Sequence, residues 1–555
     1  MENKFVEKYM SVVENERGEL VSISFKNDDK FNFAYDVVDE LAKESPNKLA
    51  MLFLSRKQEE RRFSFKEMSD YSSKAANYFK SLGIKKGDKV MLVLKRHYQF
   101  WFALLGLHKI GAIAIPTSFL IVEQDFMQRI EAGEVKAIIS TSDQNLTSTI
   151  DSADKKLNNP LQIKIVVGKE TEGWSNFDSE IEKYSDEYIR PEGEENSGGD
   201  DPMLMFFTSG TTGYPKMTLH NFKYPLGHYV TAKYWNQVKE DGIHFTISDT
   251  GWGKAVWGKI YGQWLCKAAI LTYNFDEFNA KEILKIIEKY KITTFCAPPT
   301  MYRVLIRMDL SKYDLSSLTN VNTAGEAMNP EVFNKFYDST GLKIMEGFGQ
   351  TETTLTIGNL VGMEPKPGSM GKPNPQYKIE ILLPNGEVAG TNEEGEISIA
   401  IDEGVPDGLF EGYYKAEDKN KEVWYDGYYH TGDVAYKDED GYIWYVGRVD
   451  DVIKSSGYRV GPFEIENEIM KLPSVLECAV TPVPDKVRGQ AIKATIVLNK
   501  GYEPTEELKR EMFIYFNHNL ANYKRPRYIE FVKEMPKTTS GKIKRVDIKN
   551  RDWNK

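Results

Sequence analysis

Met203-Leu204-Met205-Phe206-Phe207-Thr208-Ser209-Gly210-Thr211-Thr212-Gly213-Tyr214-Pro215-Lys216 carries an apolar run straight into hydroxyls, glycines and a lysine. The run reads as a buried strand. In the loop after it, glycines let backbone N–H groups approach an anion, hydroxyls add donors, and Lys216 adds charge. That composition suits phosphate. It is not a Walker A loop, because Tyr214 and Pro215 stand between the last glycine and the lysine. A glycine-rich turn would explain the loop if it stood alone.

Outward from this stretch, short apolar runs at Lys89–Leu94, Ala112–Pro116, Lys136–Ser140 and Lys164–Gly168 alternate with helical patterns, which predicts parallel strands with helical crossovers. Ile283, Leu284, Ile287 and Tyr290 form one stripe of an amphipathic helix over 281–291. Residues 191–202, rich in Gly, Pro and acid, read as a linker. From about 371 to 449, Gly and Asp/Asn turns punctuate short β-prone runs, the pattern of a small barrel.

The chain has 555 residues, 41% hydrophobic and 28% charged, too many for one core, since cores stop growing near ~250–300 residues. The expected architecture is α/β. Two doubly wound subdomains over about 30–200 and 203–370 and a barrel over 371–449 make a large domain, 1–450. A smaller α+β domain, 451–555, follows after Asp450.

Composition excludes several classes. The longest uncharged apolar run, Ile110 to Val122, is broken by Pro116, and falls short of the ~20 residues a membrane span needs. Residues 1–7 carry mixed charges without an apolar stretch, so the expected location is the cytoplasm. Cys266, Cys296 and Cys478 fit neither a disulfide framework nor a cysteine zinc site. A net charge of −10 argues against nucleic acid. Residues 451–555 nevertheless hold 20 Lys+Arg against 14 Asp+Glu, so this unit suits something anionic.

Further motifs follow in order: Thr323-Ala324-Gly325-Glu326-Ala327, Glu346-Gly347-Phe348-Gly349-Gln350-Thr351-Glu352, Tyr429-His430-Thr431-Gly432-Asp433, Gly447-Arg448-Val449-Asp450-Asp451 and Thr539-Ser540-Gly541-Lys542. Each is common by chance; their order and spacing together are not. The set resembles the adenylate-forming superfamily over roughly residues 30–550, and the segment Ser248–Trp257 resembles medium-chain acyl-CoA synthetases.

The resemblance implies a two-step reaction with ATP, Mg²⁺ and coenzyme A, in which a carboxylate attacks the α-phosphate and coenzyme A then takes the acyl group. A carboxylate is a poor nucleophile and ATP a polyanion, so fixed donors and cations are needed rather than a base. By resemblance, Thr208, Ser209, Gly210, Thr211, Thr212, Gly213 and Lys216 close over the β- and γ-phosphates. Thr351 meets the α-phosphate, and Glu352 holds Mg²⁺. Asp433, supported by Arg448, takes the ribose, and Gly325, Glu326 and Ala327 flank the adenine. Lys542 neutralises developing charge on the α-phosphate. Asp450 matches the hinge, Gly457 the pantetheine tunnel, and Arg459 a phosphate contact. Phe348 replaces the family's common tyrosine, removing a phenol hydroxyl.

Among acetate synthetases, the residue before Gln-Thr-Glu is a tryptophan that fills the acyl pocket. Gly349 stands there, which leaves room for a short-to-medium or branched acid. Trp252, Gly253 and Trp257 are expected to shape the pocket. Alternatives are an aromatic-acid (benzoate-type) ligase and, from another class, a nucleotide-binding regulator without catalysis. That regulator should have lost Lys542 or Glu352, and both are present. The expected partners are small molecules, in a monomer or homodimer.

Overall fold

A computed structural model describes residues 4–208, 216–455, 458–485, 489–538 and 541–553; of the side chains at 454, 455, 458 and 459 nothing further is said. Ser209, Gly210, Thr211, Thr212, Gly213 and Gly457 therefore lie outside the described residues, as does the side chain of Arg459.

Two large sheets carry the N-terminal unit. In the eight-stranded one, Lys89–Val93 lies between Ile113–Pro116 and Ala137–Thr141, all parallel, with Ile163–Val167 beyond. All four expected strands form, within a residue at each end. Pro202–Thr208 joins this sheet in parallel beside Ile113–Pro116 and turns back as the antiparallel Lys216–Asn221.

The nine-stranded sheet has a parallel centre made of Ala269–Tyr273, Ile243–Thr246, Thr294–Cys296, Asn320–Ala324 and Ile344–Phe348. Its other edge is the early hairpin Leu49–Leu54 and Glu60–Ser64, with Leu49–Leu54 parallel to Ala269–Tyr273. The subdomains therefore do not divide near residue 200, as expected above. An early hairpin completes the second sheet, and strands after 200 complete the first. Periodicity marks a strand but not the sheet it enters.

The helix Gln99–Ile110 has no exposed residue, the mark of an element covered on all sides. It belongs to one cluster with Trp235, Trp257, Tyr261 and Trp264, which joins the layers. Its polar residues are paired: Gln99 with Asp178, His108 with Tyr261, Lys109 with Asp39 and Ser73. The helix Ala280–Tyr290 buries Ile283, Leu284, Ile286 and Ile287, and Asn279 caps its N-terminus.

The small antiparallel unit is built on Tyr428–Lys437, which pairs with Gly395–Ala400 on one side and with both Trp424–Tyr425 and Ile443–Arg448 on the other. A last five-stranded sheet, centred on the pair Val475–Asp485 and Gly489–Leu498, carries the C-terminal unit. All three cysteines are buried and free. Among the described residues no helix is long and apolar enough to cross a membrane.

Candidate active site

Parallel strands expose their carboxyl ends along one edge, and the loops leaving those ends are where an α/β sheet binds ligands. Four expected segments leave such ends: the loop after Thr208, Ile247–Trp252 after Thr246, Gly325–Ala327 after Ala324, and Gly349–Glu352 after Phe348.

The loop after Phe348 is fixed at every residue. Gln350 Nε2 donates to the Thr431 carbonyl at 2.8 Å and to Asp433 Oδ2 at 2.5 Å, while its Oε1 accepts from the Tyr429 hydroxyl at 2.8 Å. The Thr351 carbonyl accepts from His220 Nε2 at 2.8 Å. Because a carbonyl only accepts, that bond requires the proton on Nε2. Burial holds His220 neutral, down to about 4. Glu352 Oε1 accepts from the Tyr413 hydroxyl at 2.8 Å, and its carbonyl from the Phe410 amide at 2.8 Å.

Asp433 is buried and receives three donors besides its backbone: Gln350, Tyr445 at 3.2 Å and Arg448 at 3.1 Å. Burial disfavours the Arg448 charge, but Asp433, Tyr445 and Glu352 outweigh it and hold the guanidinium firmly protonated. Lys216 stands over the Tyr413 ring, 4.5 Å from its centre. Burial lowers its pKa while Glu352 opposes the shift. Lys216, Tyr413, Glu352, Arg448 and Asp433 thus form one connected edge of the site.

Beside it, Gly325 has φ +102°, a left-handed conformation suited to glycine, and a Cβ there would meet nothing within 4 Å. Glu326 pairs with Arg303 at 3.2 Å. Glu346 is buried beneath this loop, where it accepts from the Met328 amide at 3.0 Å. Burial pushes its carboxyl up to about 8.

On the acyl side, Trp252 is half-buried and precedes the short helix Gly253–Gly258, which contains the buried Trp257. Gly253 faces Thr351, to which its Cβ would come within 3.8 Å. The room expected beside Gly349 is filled. A Cβ on Gly349 would lie 2.3 Å from Trp257 Cη2 and 2.4 Å from the Thr354 carbonyl oxygen. The indole missing at 349 is replaced by one from the helix, so the glycine makes way for Trp257 rather than opening a deeper pocket. Trp235 crosses Trp257 edge-on at 6.5 Å.

Lys254 donates to the Ala324 carbonyl at 2.8 Å. Burial lowers its pKa, and the Lys542 ammonium, near enough to repel it, lowers it further. Lys542, from the C-terminal unit, thus acts on Lys254 through its charge. Asp450 is exposed, in a turn tied by the amides of Asp451 and Val452 to the Arg448 carbonyl.

Gln350, Tyr413, Tyr429, Tyr445, Glu346, His220 and Lys254 were missed as site residues. Gln350 and Glu346 lie inside a quoted motif and Lys254 two residues from Trp252, signals that could have found them. Tyr429 likewise lies inside a quoted motif, whereas Tyr413, Tyr445 and His220 carry no such signal.

Residues 38–414 match the AMP-binding enzyme family and residues 464–542 the AMP-binding enzyme C-terminal domain. The chain belongs to the AMP-binding enzyme family. It is 39% identical over 533 residues to human "Acyl-coenzyme A synthetase ACSM3, mitochondrial", covering 94% of this chain and 90% of that one. With "4-hydroxybutyrate--CoA ligase 1" of Metallosphaera sedula it shares 38% over 558 residues, covering 100% of this chain and 96% of the other. Among solved structures it is similar to the anthranilate CoA ligase AuaEII in complex with anthranoyl-AMP, with a TM-score of 0.86 and 28% identity, covering 94% and 98% of the two chains.

Proposed function

We propose that the protein, an AMP-forming acyl-CoA synthetase, joins a short-to-medium-chain or branched fatty acid to coenzyme A in two steps. The acid's carboxylate oxygen attacks the α-phosphorus of ATP and pyrophosphate leaves, giving an acyl-adenylate. The coenzyme A thiol then attacks the acyl carbon, and AMP leaves as the thioester forms.

One observation carries this reading: the buried Asp433 accepts from Gln350, Tyr445 and Arg448, beside the edge made by Glu352, Tyr413 and Lys216. In this reading Asp433 accepts both ribose hydroxyls, with Arg448, Tyr445 and Gln350 fixing its oxygens. Gly325, Glu326 and Ala327 flank the adenine. Thr351 meets the α-phosphate, and Lys216, with Thr208 and residues 209–213, takes the β- and γ-phosphates. Lys542 stabilises charge arising on the α-phosphate. No group of three or more metal-binding side chains occurs among the described residues. Mg²⁺ needs no such cage, because nucleotide phosphates and water fill most of its positions. Glu352, with one oxygen held by Tyr413, fits as its single carboxylate, and the ion would supply charge neutralisation. Asp450 is the hinge between the domains 1–450 and 451–555, with Gly457 beside the pantetheine path and Arg459 toward phosphate.

The vacancy argument at Gly349 no longer supports chain length. The acyl segment's resemblance supports an acid of about four to eight carbons, bounded by Trp252, Gly253 and Trp257, and one relative is named for a four-carbon acid, 4-hydroxybutyrate. The cytoplasm remains our proposed location, although the human relative is named as mitochondrial; cell fractionation decides it. A panel of linear, branched and aromatic acids with ATP, Mg²⁺ and coenzyme A tests the function. AMP and thioester should appear together, best with a six-carbon acid; ADP as product overturns the mechanism, and highest kcat/KM for acetate overturns the size.

A further inference from the structure

Lys542 is exposed, yet its position is narrowly set. The Thr538 amide donates to the Lys542 carbonyl at 2.7 Å, and the Lys542 amide donates to the Thr538 side-chain Oγ1 at 3.1 Å. A bridge joins Lys537 to Ile543, and the Lys544 amide donates to the Pro536 carbonyl at 2.8 Å. This small hairpin ends at Arg545, the first residue of the last helix, Arg545–Trp553.

Arg545 grips Glu466 with both ends of its guanidinium, Nε to Oε1 at 3.1 Å and Nη2 to Oε1 and Oε2 at 2.8 and 2.6 Å. Glu466 is buried on the helix Pro462–Ile469, and its Oε1 also accepts from the Val480 amide at 2.8 Å. That helix sits directly on the last strand of the barrel. Phe463 meets Tyr445 edge-on at 6.1 Å, and a Cβ on Gly461 would lie 2.6 Å from Val446. Burial raises the Asp451 carboxyl, and the charges of Arg545 and Arg448, one on each side of the hinge, oppose that rise.

We propose that Arg545 is a positioning residue for adenylation: through Glu466 it fixes the base of the Lys542 hairpin to the helix seated on the barrel. The proposal rests on the adenylation reading above. A rotation at Asp450 lifts the helix Pro462–Ile469 off Tyr445 and Val446, so the anchorage that Arg545 supplies bears on Lys542 only while the helix is seated there. Arg545 thus acts through Lys542 and touches no substrate.

The test separates the half-reactions in the full-length protein. Hexanoate-dependent ATP–pyrophosphate exchange reads adenylation; thioester formation from supplied hexanoyl-adenylate and coenzyme A reads the second step. Arg545→Gln should lower the exchange kcat by about 100-fold with the KM for ATP little changed, as expected of a misplaced catalytic group. Thioester formation should fall by less than about threefold, because that step uses the rotated arrangement. Arg545→Lys, which keeps the charge without the fork, should recover about tenfold of the loss. Equal loss in both half-reactions, or undiminished exchange, overturns the assignment. Should Arg545→Gln fail to fold, Glu466→Gln, which keeps an acceptor for the Val480 amide, decides: a selective fall in exchange supports the proposal, and unchanged exchange overturns it. Absence of exchange in the wild-type protein fails the adenylation reading itself, whereas wild-type exchange unaffected by either variant fails only the role of Arg545.

Discussion

The Asp433 side, proposed to take the ribose, and the Lys542 side of the candidate site are built differently. Asp433 is buried and held by Gln350, Tyr445 and Arg448, all from the N-terminal unit. Lys542 is exposed on a small hairpin in the other unit, and in our proposal reaches the site only across a domain junction. The first arrangement is preorganised and can hold the nucleotide through both half-reactions. The second can arrive for one step and leave for the other, which a reaction needing both a clamped polyanion and an open thiol path requires.

Removing one residue from each side separates the two roles. The largest effect is expected from Lys542→Ala: loss of one preorganised charge should cost about 2.7–4 kcal/mol of transition-state stabilisation, a fall of about 10²–10³-fold in pyrophosphate exchange. ATP affinity, measured by calorimetry, should stay near wild type, and thioester formation from supplied acyl-adenylate should persist. Asp433→Ala should instead weaken ATP binding by about 10- to 100-fold, since it removes charged hydrogen bonds to the ribose, and should harm both half-reactions.

Within the N-terminal unit, the acyl and adenine sides can be contrasted next. Trp257→Leu should shift kcat/KM toward acids a few carbons longer, by about tenfold, the scale of pocket methylenes. Gly349→Ala should destabilise by about 1–3 kcal/mol in urea unfolding, because the Cβ has no space against Trp257 and the Thr354 carbonyl. Both outcomes would establish that helix residue 257, rather than position 349, sets the pocket floor.

The smallest expected effect is a pH dependence. Glu346 is raised from an ordinary 4.5 to about 8 by burial, so the folded state holds its proton more tightly than the unfolded chain. Its contribution to stability is full below pH 4.5 and is lost as pH rises toward 8. Glu346→Gln, which keeps the neutral shape, should show a flatter decline of Tm between pH 5 and about 8.5 than the wild type. Parallel declines would contradict a proton on Glu346.

The same contrast marks what sequence could reveal. The candidate site segments were legible, because Gly325, Thr351 and Glu352 in loops, and Asp433 within the strand Tyr428–Lys437, sit in short patterns of glycine, hydroxyl and acid. The strands themselves were legible from apolar runs such as Lys89–Val93. Pairing across distance was not. Leu49–Leu54 gives no local sign that it joins a sheet completed more than two hundred residues later. Tyr413 becomes a site residue only because Lys216–Asn221 pairs with Gly412–Tyr413 and brings its hydroxyl to Glu352. The space at Gly349 was misjudged for the same reason: a glycine shows what one position lacks, not what another side chain supplies.

The central claim, attack by a carboxylate oxygen on the α-phosphorus of ATP, is tested most directly with ¹⁸O-labelled hexanoate, ATP, Mg²⁺ and coenzyme A, followed by mass spectrometry of the phosphates. One ¹⁸O should appear in AMP and none in pyrophosphate. Label in orthophosphate or in pyrophosphate would contradict the account.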